Sequence, residues 1–213
     1  MVPPEPPLVV ASVLEEVSAR TAVRATAIGA GAAVTVAIPL TFPADDGPTD
    51  LDSAVADPIA DTLSPGLAEV LVAPSSGPVV LILLLAAFGW FALRREWWRA
   101  VTMLVVPEVA LAINTWLLKP VWDRQLHDYL AYPSGHTVHL VAVATTFACL
   151  VPNLKARITV AALTVLALVS ITPGMVELGY HHPTDVLGGA AAAAAMAMGL
   201  CWLADLVRVR TRG

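Results

Sequence analysis

The chain has 213 residues, of which 57% are hydrophobic and only 14% charged, and its formal net charge is −5. Ordinary soluble domains carry roughly 25% charged residues. The composition therefore excludes such a domain and points to a membrane protein, for which no nucleic-acid partner is expected.

The sequence opens with a proline-rich prefix, VPPEPP at residues 2–7, expected to be disordered or to lie along the surface. Charge-poor stretches then recur at about 25–42, 78–93, 100–118, 137–152, 158–173 and 186–207. Most approach the ~20 residues that a helix needs to cross a ~30 Å hydrocarbon layer. The expectation is an all-α bundle of six transmembrane helices. Its membrane domain, residues 25–207, lies between an N-terminal cytoplasmic segment, 1–24, and a basic cytoplasmic tail, 208–213. The acidic loop 43–77 is rich in Pro, Asp, Gly and Ser. Its mildly amphipathic stretch from Ala54 to Val72 reads either as a short helix on the outer membrane face or as plain loop. Ala54-Val55-Ala56 offers the small residues of a signal-peptide cleavage site, but far beyond the first apolar run, which argues against removal. The small-residue run GGAAAAAAMAMG at 188–199 lets helices approach closely. Cys149 and Cys201 fall in apolar runs and read as small buried hydrophobes, since no disulfide framework or C-x-x-C motif is present.

Charge placement gives an independent view of the topology, because cytoplasmic loops of membrane proteins are rich in lysine and arginine. Alternate loops collect Arg20, Arg24, Arg94, Arg95, Arg99, Lys155, Arg157, Arg208, Arg210 and Arg212, ten of the twelve basic residues. Both termini are accordingly expected in the cytoplasm. Trp97 and Trp98, flanked by arginines, read as an interfacial anchor. Only Lys119 and Arg124 fall on the opposite side. They share that side with YPSGH, residues 132–136, and ELGYHHPTD, residues 177–185. Ionisable groups gathered near membrane depth are costly and mark functional sites.

Each residue has an ordinary reading beside the functional one. Lys119 ends an apolar helix, as a snorkelling lysine would. Arg124 carries a forked guanidinium suited to phosphate, or simply to a neighbouring Asp123 or Asp128. In PSGH the serine is a helix cap by default, while Gly135 leaves the backbone N–H groups of a helix start open to an anion. His136 then falls in the first turn, facing the same ligand. His139 reads as a packed or hydrogen-bonded histidine. His181 and Asp185 are spaced i, i+4, so a carboxylate can fix one imidazole nitrogen and make the other a better nucleophile or base. His182 competes for that role at poorer spacing, and Pro183 suits a first helical turn.

Taken together, KPVWDR (119–124), PSGH (133–136) and HHPTDVLGG (181–189) resemble the three-part signature of the type 2 phosphatidic acid phosphatase superfamily. The resemblance covers about residues 100–207 and implies an integral-membrane lipid phosphatase, metal-independent and without a cofactor, with its active site at the extracytoplasmic face of the plasma membrane. In that reading His181 attacks phosphorus to form a phosphohistidine, Asp185 orients it, and His136 serves as general acid and then base. Lys119, Arg124, Ser134 and Gly135 hold the phosphate of a lipid phosphate or polyprenyl phosphate. Two positions depart from the pattern: Leu126 stands where the family usually has arginine, and Gly174-Met175 where it usually has Ser-Arg. These motivate an alternative, a catalytically weak relative that binds or moves anionic lipids. A third reading places zinc among His136, His181, His182 and Asp185.

Overall fold

The computed structural model describes residues 8–60 and 62–211, so the proline-rich prefix and the last two residues lie outside the described residues. Nine α-helices and one small hairpin make up the described chain. Helix α1 is Leu8–Ala37, α2 Asp50–Ala60, α3 Pro65–Val72, α4 Gly77–Leu93 and α5 Trp97–Ile113. After a π-helical segment, Asn114–Leu118, come the short α6, Lys119–Trp122, and the antiparallel strands β1, Gln125–Leu126, and β2, Tyr129–Leu130. Helices α7, Gly135–Leu150, α8, Leu154–Glu177, and α9, Pro183–Arg210, complete the bundle.

Among the described residues, five helical stretches are long and apolar enough to cross a membrane: Thr21–Thr41, Pro65–Leu93, Trp97–Trp122, Leu154–Glu177 and Pro183–Arg210. The expected fourth span, at 137–152, corresponds to α7, which has 16 residues. At 1.5 Å per residue it reaches only about 24 Å. Helix α7 is instead the central post, packed against α4, α5, α8 and α9, with Val138, Val141 and Ala142 buried. A central helix is screened from lipid by its neighbours, so it does not need the length of a peripheral one.

The loop between the first two spans is more ordered than its composition suggested. Thr49 caps α2: its hydroxyl accepts from the Asp52 N–H at 3.1 Å, while Asp52 Oδ2 accepts from the Thr49 N–H at 3.0 Å. Helix α3 runs into α4 through a 3₁₀ turn, Ala73–Ser75, and packs on α8 through Ala68 and Val72, leaving Leu67 and Val70 exposed. A Cβ on Gly174 would stand 2.6 Å from the Ala68 carbonyl oxygen, so glycine is what admits α3 to this contact. Met175 beside it is fully buried in a cluster with Val72, Val80 and Ile171. Gly174 and Met175, two of the three residues that depart from the family pattern, thus form the seat of α3.

The glycine pair on α9 has an equally direct cause. A Cβ on Gly188 would lie 2.1 Å from the Tyr132 ring, and one on Gly189 would lie 2.9 Å from the Ser134 carbonyl oxygen. The α9 start is therefore pressed against the turn that begins α7. At the other end of the bundle Arg99, Arg157 and Arg208 gather around one polar depression with Asp205.

Candidate active site

The residues singled out by the sequence meet where α6, the hairpin, the α7 start and the α8–α9 connection come together. A cavity of about 330 Å³ is lined there by Lys119, Tyr129, Gly135, His136, His139 and His181, among others. Each lining group is set by a local device. The π-helical turn just before Lys119 shifts its register, and Asn114 within that turn donates to the Pro133 carbonyl at 3.3 Å. Lys119 Nζ donates to the Leu130 carbonyl. Ser134 caps α7, its Oγ accepting from the Thr137 hydroxyl at 3.2 Å and more loosely from the Thr137 N–H at 3.5 Å. The first-turn N–H groups of α7 are the orphan donors that every helix start presents.

His181 is held from the other side. Gly179, at φ +66°, ends α8, with its N–H bonded to the Val176 carbonyl and the Tyr180 N–H bonded to Met175 at 2.8 Å. The chain then turns, and His182 becomes the N-cap of α9 with Asp185 at its third position. Asp185 Oδ2 accepts from the His182 N–H at 2.9 Å, and the Asp185 N–H donates to the His182 carbonyl at 3.0 Å. His182 therefore meets Asp185 through its backbone, at the N-cap of α9. Burial first, then the nearby Arg124, pushes the His182 imidazole below its ordinary value.

The His181 and His136 rings are edge to face with centroids 6.1 Å apart. Tyr129 stands edge-on to His181 at the same 6.1 Å, and its hydroxyl donates to the Tyr180 carbonyl. Burial, with Asp185 next in effect, holds the Tyr129 phenol above its ordinary value, so it stays a neutral donor. His181 Nδ1 lies 3.7 Å from Asp185 Oδ2, is buried and has no hydrogen-bond partner. That separation is an ion-pair distance but too long for a hydrogen bond. Catalytic contacts in unliganded sites are commonly long and tighten when the site is engaged. His139 Nε2 is 3.0 Å from Glu108 Oε1, the hydrogen-bonded histidine its position suggested.

Two expected phosphate ligands stand elsewhere. Arg124 is completely buried and faces away from the cavity. Its Nη1 donates to Thr184 Oγ1 and to Asp185 Oδ1, both at 2.8 Å. Its Nη2 donates to the Gly47 carbonyl at 2.9 Å and to Asp52 Oδ2 at 3.1 Å. The four terminal N–H bonds of the guanidinium are thereby spent within the chain; the fifth, Nε–H, is buried without a partner, and Arg124 does not line the cavity. Phe42 closes its face at 4.0 Å. Ser134 is also completely buried, its hydroxyl committed to the cap rather than to the cavity. Reading the sequence also missed three residues. Tyr129 carries no motif. Asn114 was visible only as a polar residue inside an apolar run. Asp52 was visible as the end of a Thr-x-x-Asp helix start, though nothing local connects it to Arg124.

Among the described residues no three His, Cys, Asp or Glu side chains gather closely enough to hold a metal ion, so the zinc set imagined from the sequence does not assemble.

With this geometry the comparisons with known proteins can be placed. Residues 113–208 match the PAP2 superfamily. The resemblance read from the three motifs is thus borne out, over the segment that runs from the π-helical turn to the end of α9. The fold is likewise similar to the crystal structure of a transmembrane PAP2-type phosphatidylglycerolphosphate phosphatase from Bacillus subtilis. The TM-score is 0.65 at 23% identity, covering 88% of this chain and 96% of that one. At that identity the likeness is one of fold. No curated protein matches the chain. The PAP2 segment contains every residue proposed for chemistry, but it leaves out the loop that supplies Asp52.

Proposed function

We propose that the chain is a membrane phosphatase that hydrolyses a lipid phosphate or pyrophosphate through a phosphohistidine, without metal or cofactor, on the extracytoplasmic face of the plasma membrane. The observation that carries this reading is the 330 Å³ cavity in which His181, His136, Lys119 and the Gly135 backbone face one another. A Cβ at Gly135 would meet only ordinary contacts, the nearest being Lys119 Cε at 3.9 Å, so packing does not demand glycine there. Close approach of an anion to the helix start does.

The reaction follows from these positions. The phosphate sits on the α7 start with Lys119 as counter-charge, and Arg124 takes no part in holding it. His181 Nε2 attacks phosphorus as the P–O bond to the leaving group breaks, and His136 gives its proton to the departing oxygen. His136, now neutral, takes a proton from water as the water oxygen attacks phosphorus and the N–P bond breaks. Inorganic phosphate leaves and both imidazoles return to their starting forms. Asp185 Oδ2, closing on His181 Nδ1–H, stabilises the positive charge that develops on the ring as the N–P bond forms. Most of the acceleration comes from position and fixed charge rather than from elaborate covalent machinery.

An apolar groove of about 480 Å³ supports a lipid substrate. It runs along α7 past Leu140, Val143 and Phe147, between Leu83 of α4 and Leu163 of α8. Leu140 is one helical turn from His136, so a phosphate at the cavity and a tail in the groove share one face of α7.

The test is phosphate release by purified wild type and His181→Ala in detergent from phosphatidic acid, phosphatidylglycerol phosphate and polyprenyl phosphates and pyrophosphates. Release by the wild type that vanishes in the variant is expected. Binding of these lipids without release by either protein would favour the alternative, a lipid-binding or transporting relative.

A further inference from the structure

Asp52 lies on α2, outside the segment that matches the PAP2 superfamily, yet its side chain is fully buried behind the catalytic carboxylate. Its Oδ1 accepts from the Thr184 N–H at 2.8 Å. Its Oδ2 accepts from the Thr184 hydroxyl at 3.0 Å and from Arg124 Nη2 at 3.1 Å. Arg124 in turn holds Asp185 Oδ1 at 2.8 Å, on the oxygen that does not face His181. A chain of buried contacts therefore runs from α2 through Arg124 to the carboxylate beside the nucleophile.

A guanidinium between two carboxylates behaves differently from one beside a single carboxylate. Arginine prefers to grip one carboxylate with both prongs of its fork. Here Asp52 and the Gly47 carbonyl share the two N–H bonds of Nη2, so Arg124 reaches Asp185 through Nη1 and takes only one of its oxygens. Oδ2 is left for the His182 N–H and for His181 Nδ1. Without Asp52, Nη2 keeps only the Gly47 carbonyl, and its freed N–H would close on Asp185 Oδ2 and draw it from the imidazole.

We propose that Asp52 is a positioning residue for phosphoryl transfer: by holding one prong of Arg124 it keeps Asp185 Oδ2 turned toward His181. The inference rests on the proposed phosphatase reading for its kinetic consequence, though not for its geometry. Asp52 touches no part of the cavity, so its effect falls on the chemical step and leaves phosphate binding by Lys119 and the α7 start as it was. The effect also requires an arginine fork at 124, which gives it a signature that loss of structure would not have.

The experiment uses the full chain in detergent micelles with phosphatidic acid as probe, folding being followed by size-exclusion elution. In Asp52→Asn, kcat falls on the order of 10- to 100-fold, the scale of a misplaced catalytic group, while KM stays within about twofold. Asp52→Asn/Arg124→Gln is more active than Asp52→Asn alone, because no fork remains to capture Asp185. A parallel loss of kcat and rise of KM, or a double variant weaker than the single, would overturn the proposal. If Asp52→Asn does not fold, Asp52→Ser takes its place, its hydroxyl still able to accept from the Thr184 N–H. A second readout needs no turnover: the imidazole ¹⁵N signals of His181, assigned by their absence in His181→Ala. They shift in Asp52→Asn and return toward the wild-type position in the double variant. Unmoved signals would refute the positioning role, whereas shifted signals in a protein that releases no phosphate would refute the phosphatase reading alone.

Discussion

The two sides of the α9 start make an instructive contrast. On the cavity side, polar groups are left partly unsatisfied: His181 Nδ1 has no hydrogen-bond partner, and the N–H groups of the α7 start face open space. On the far side, the terminal N–H bonds of Arg124 and both oxygens of Asp52 are consumed within the chain. Both sides hold a basic residue from the same short motif, Lys119 in front and Arg124 behind, only five positions apart. A buried charge whose terminal donors are already paired within the chain builds the site, whereas one with unused capacity beside a cavity can receive a ligand. Residue type does not separate the two roles; the count of unspent donors does.

Substitutions on the two sides should separate along the same line. The largest effect on activity is expected from His181→Ala, with phosphate release falling to roughly 10⁻⁴ of wild type or less, as for other lost nucleophiles. Its unfolding midpoint should stay close to wild type, and substantial residual turnover would reassign the nucleophile. His136→Ala should lower kcat by about 10² to 10⁴, the usual share of a general acid, most severely with the poorest leaving groups.

Behind α9, Arg124→Met should act first on folding. Breaking a buried ion pair from one side costs about 3–5 kcal/mol, because the carboxylates left behind have no compensation. Denaturant unfolding in micelles would measure it, and Lys119→Met should show no comparable loss while raising KM. The glycines sharpen the contrast further: Gly188→Ala drives a Cβ into the Tyr132 ring and should lower stability, whereas Gly135→Ala meets only ordinary contacts and should weaken activity with stability unchanged.

The smallest effect is one of pH. Burial raises the Asp52 carboxyl, but the N–H groups of Thr49 and Thr184, the Thr184 hydroxyl and Arg124 outweigh it, so the net direction is downward from 3.8. A carboxyl depressed in the folded state contributes stability above its unfolded value, and that contribution disappears as pH falls through the lower folded value. Wild type should therefore lose stability more steeply below about pH 4 than Asp52→Asn. Parallel curves would remove the charged role given to Asp52.

What could be read without coordinates was what local chemistry and membrane physics dictate. Charge-poor runs of membrane-spanning length announced apolar helices, because lipid offers no hydrogen bonds to a bare backbone. PSGH announced a helix start, and the i, i+4 spacing of His181 and Asp185 announced a pair, though His181 precedes the α9 cap and approaches Asp185 from outside the helix. The division of labour between Lys119 and Arg124 depended on tertiary structure. So did the use of His182 as a cap, the seating of α3 on Gly174 and the arrival of Asp52 from a loop 132 residues before Thr184. Each of these depends on which partner a side chain meets across the bundle. Sequence spacing shows what a residue can reach along its own helix, but only the packed structure determines whether its hydrogen-bonding capacity has already been spent.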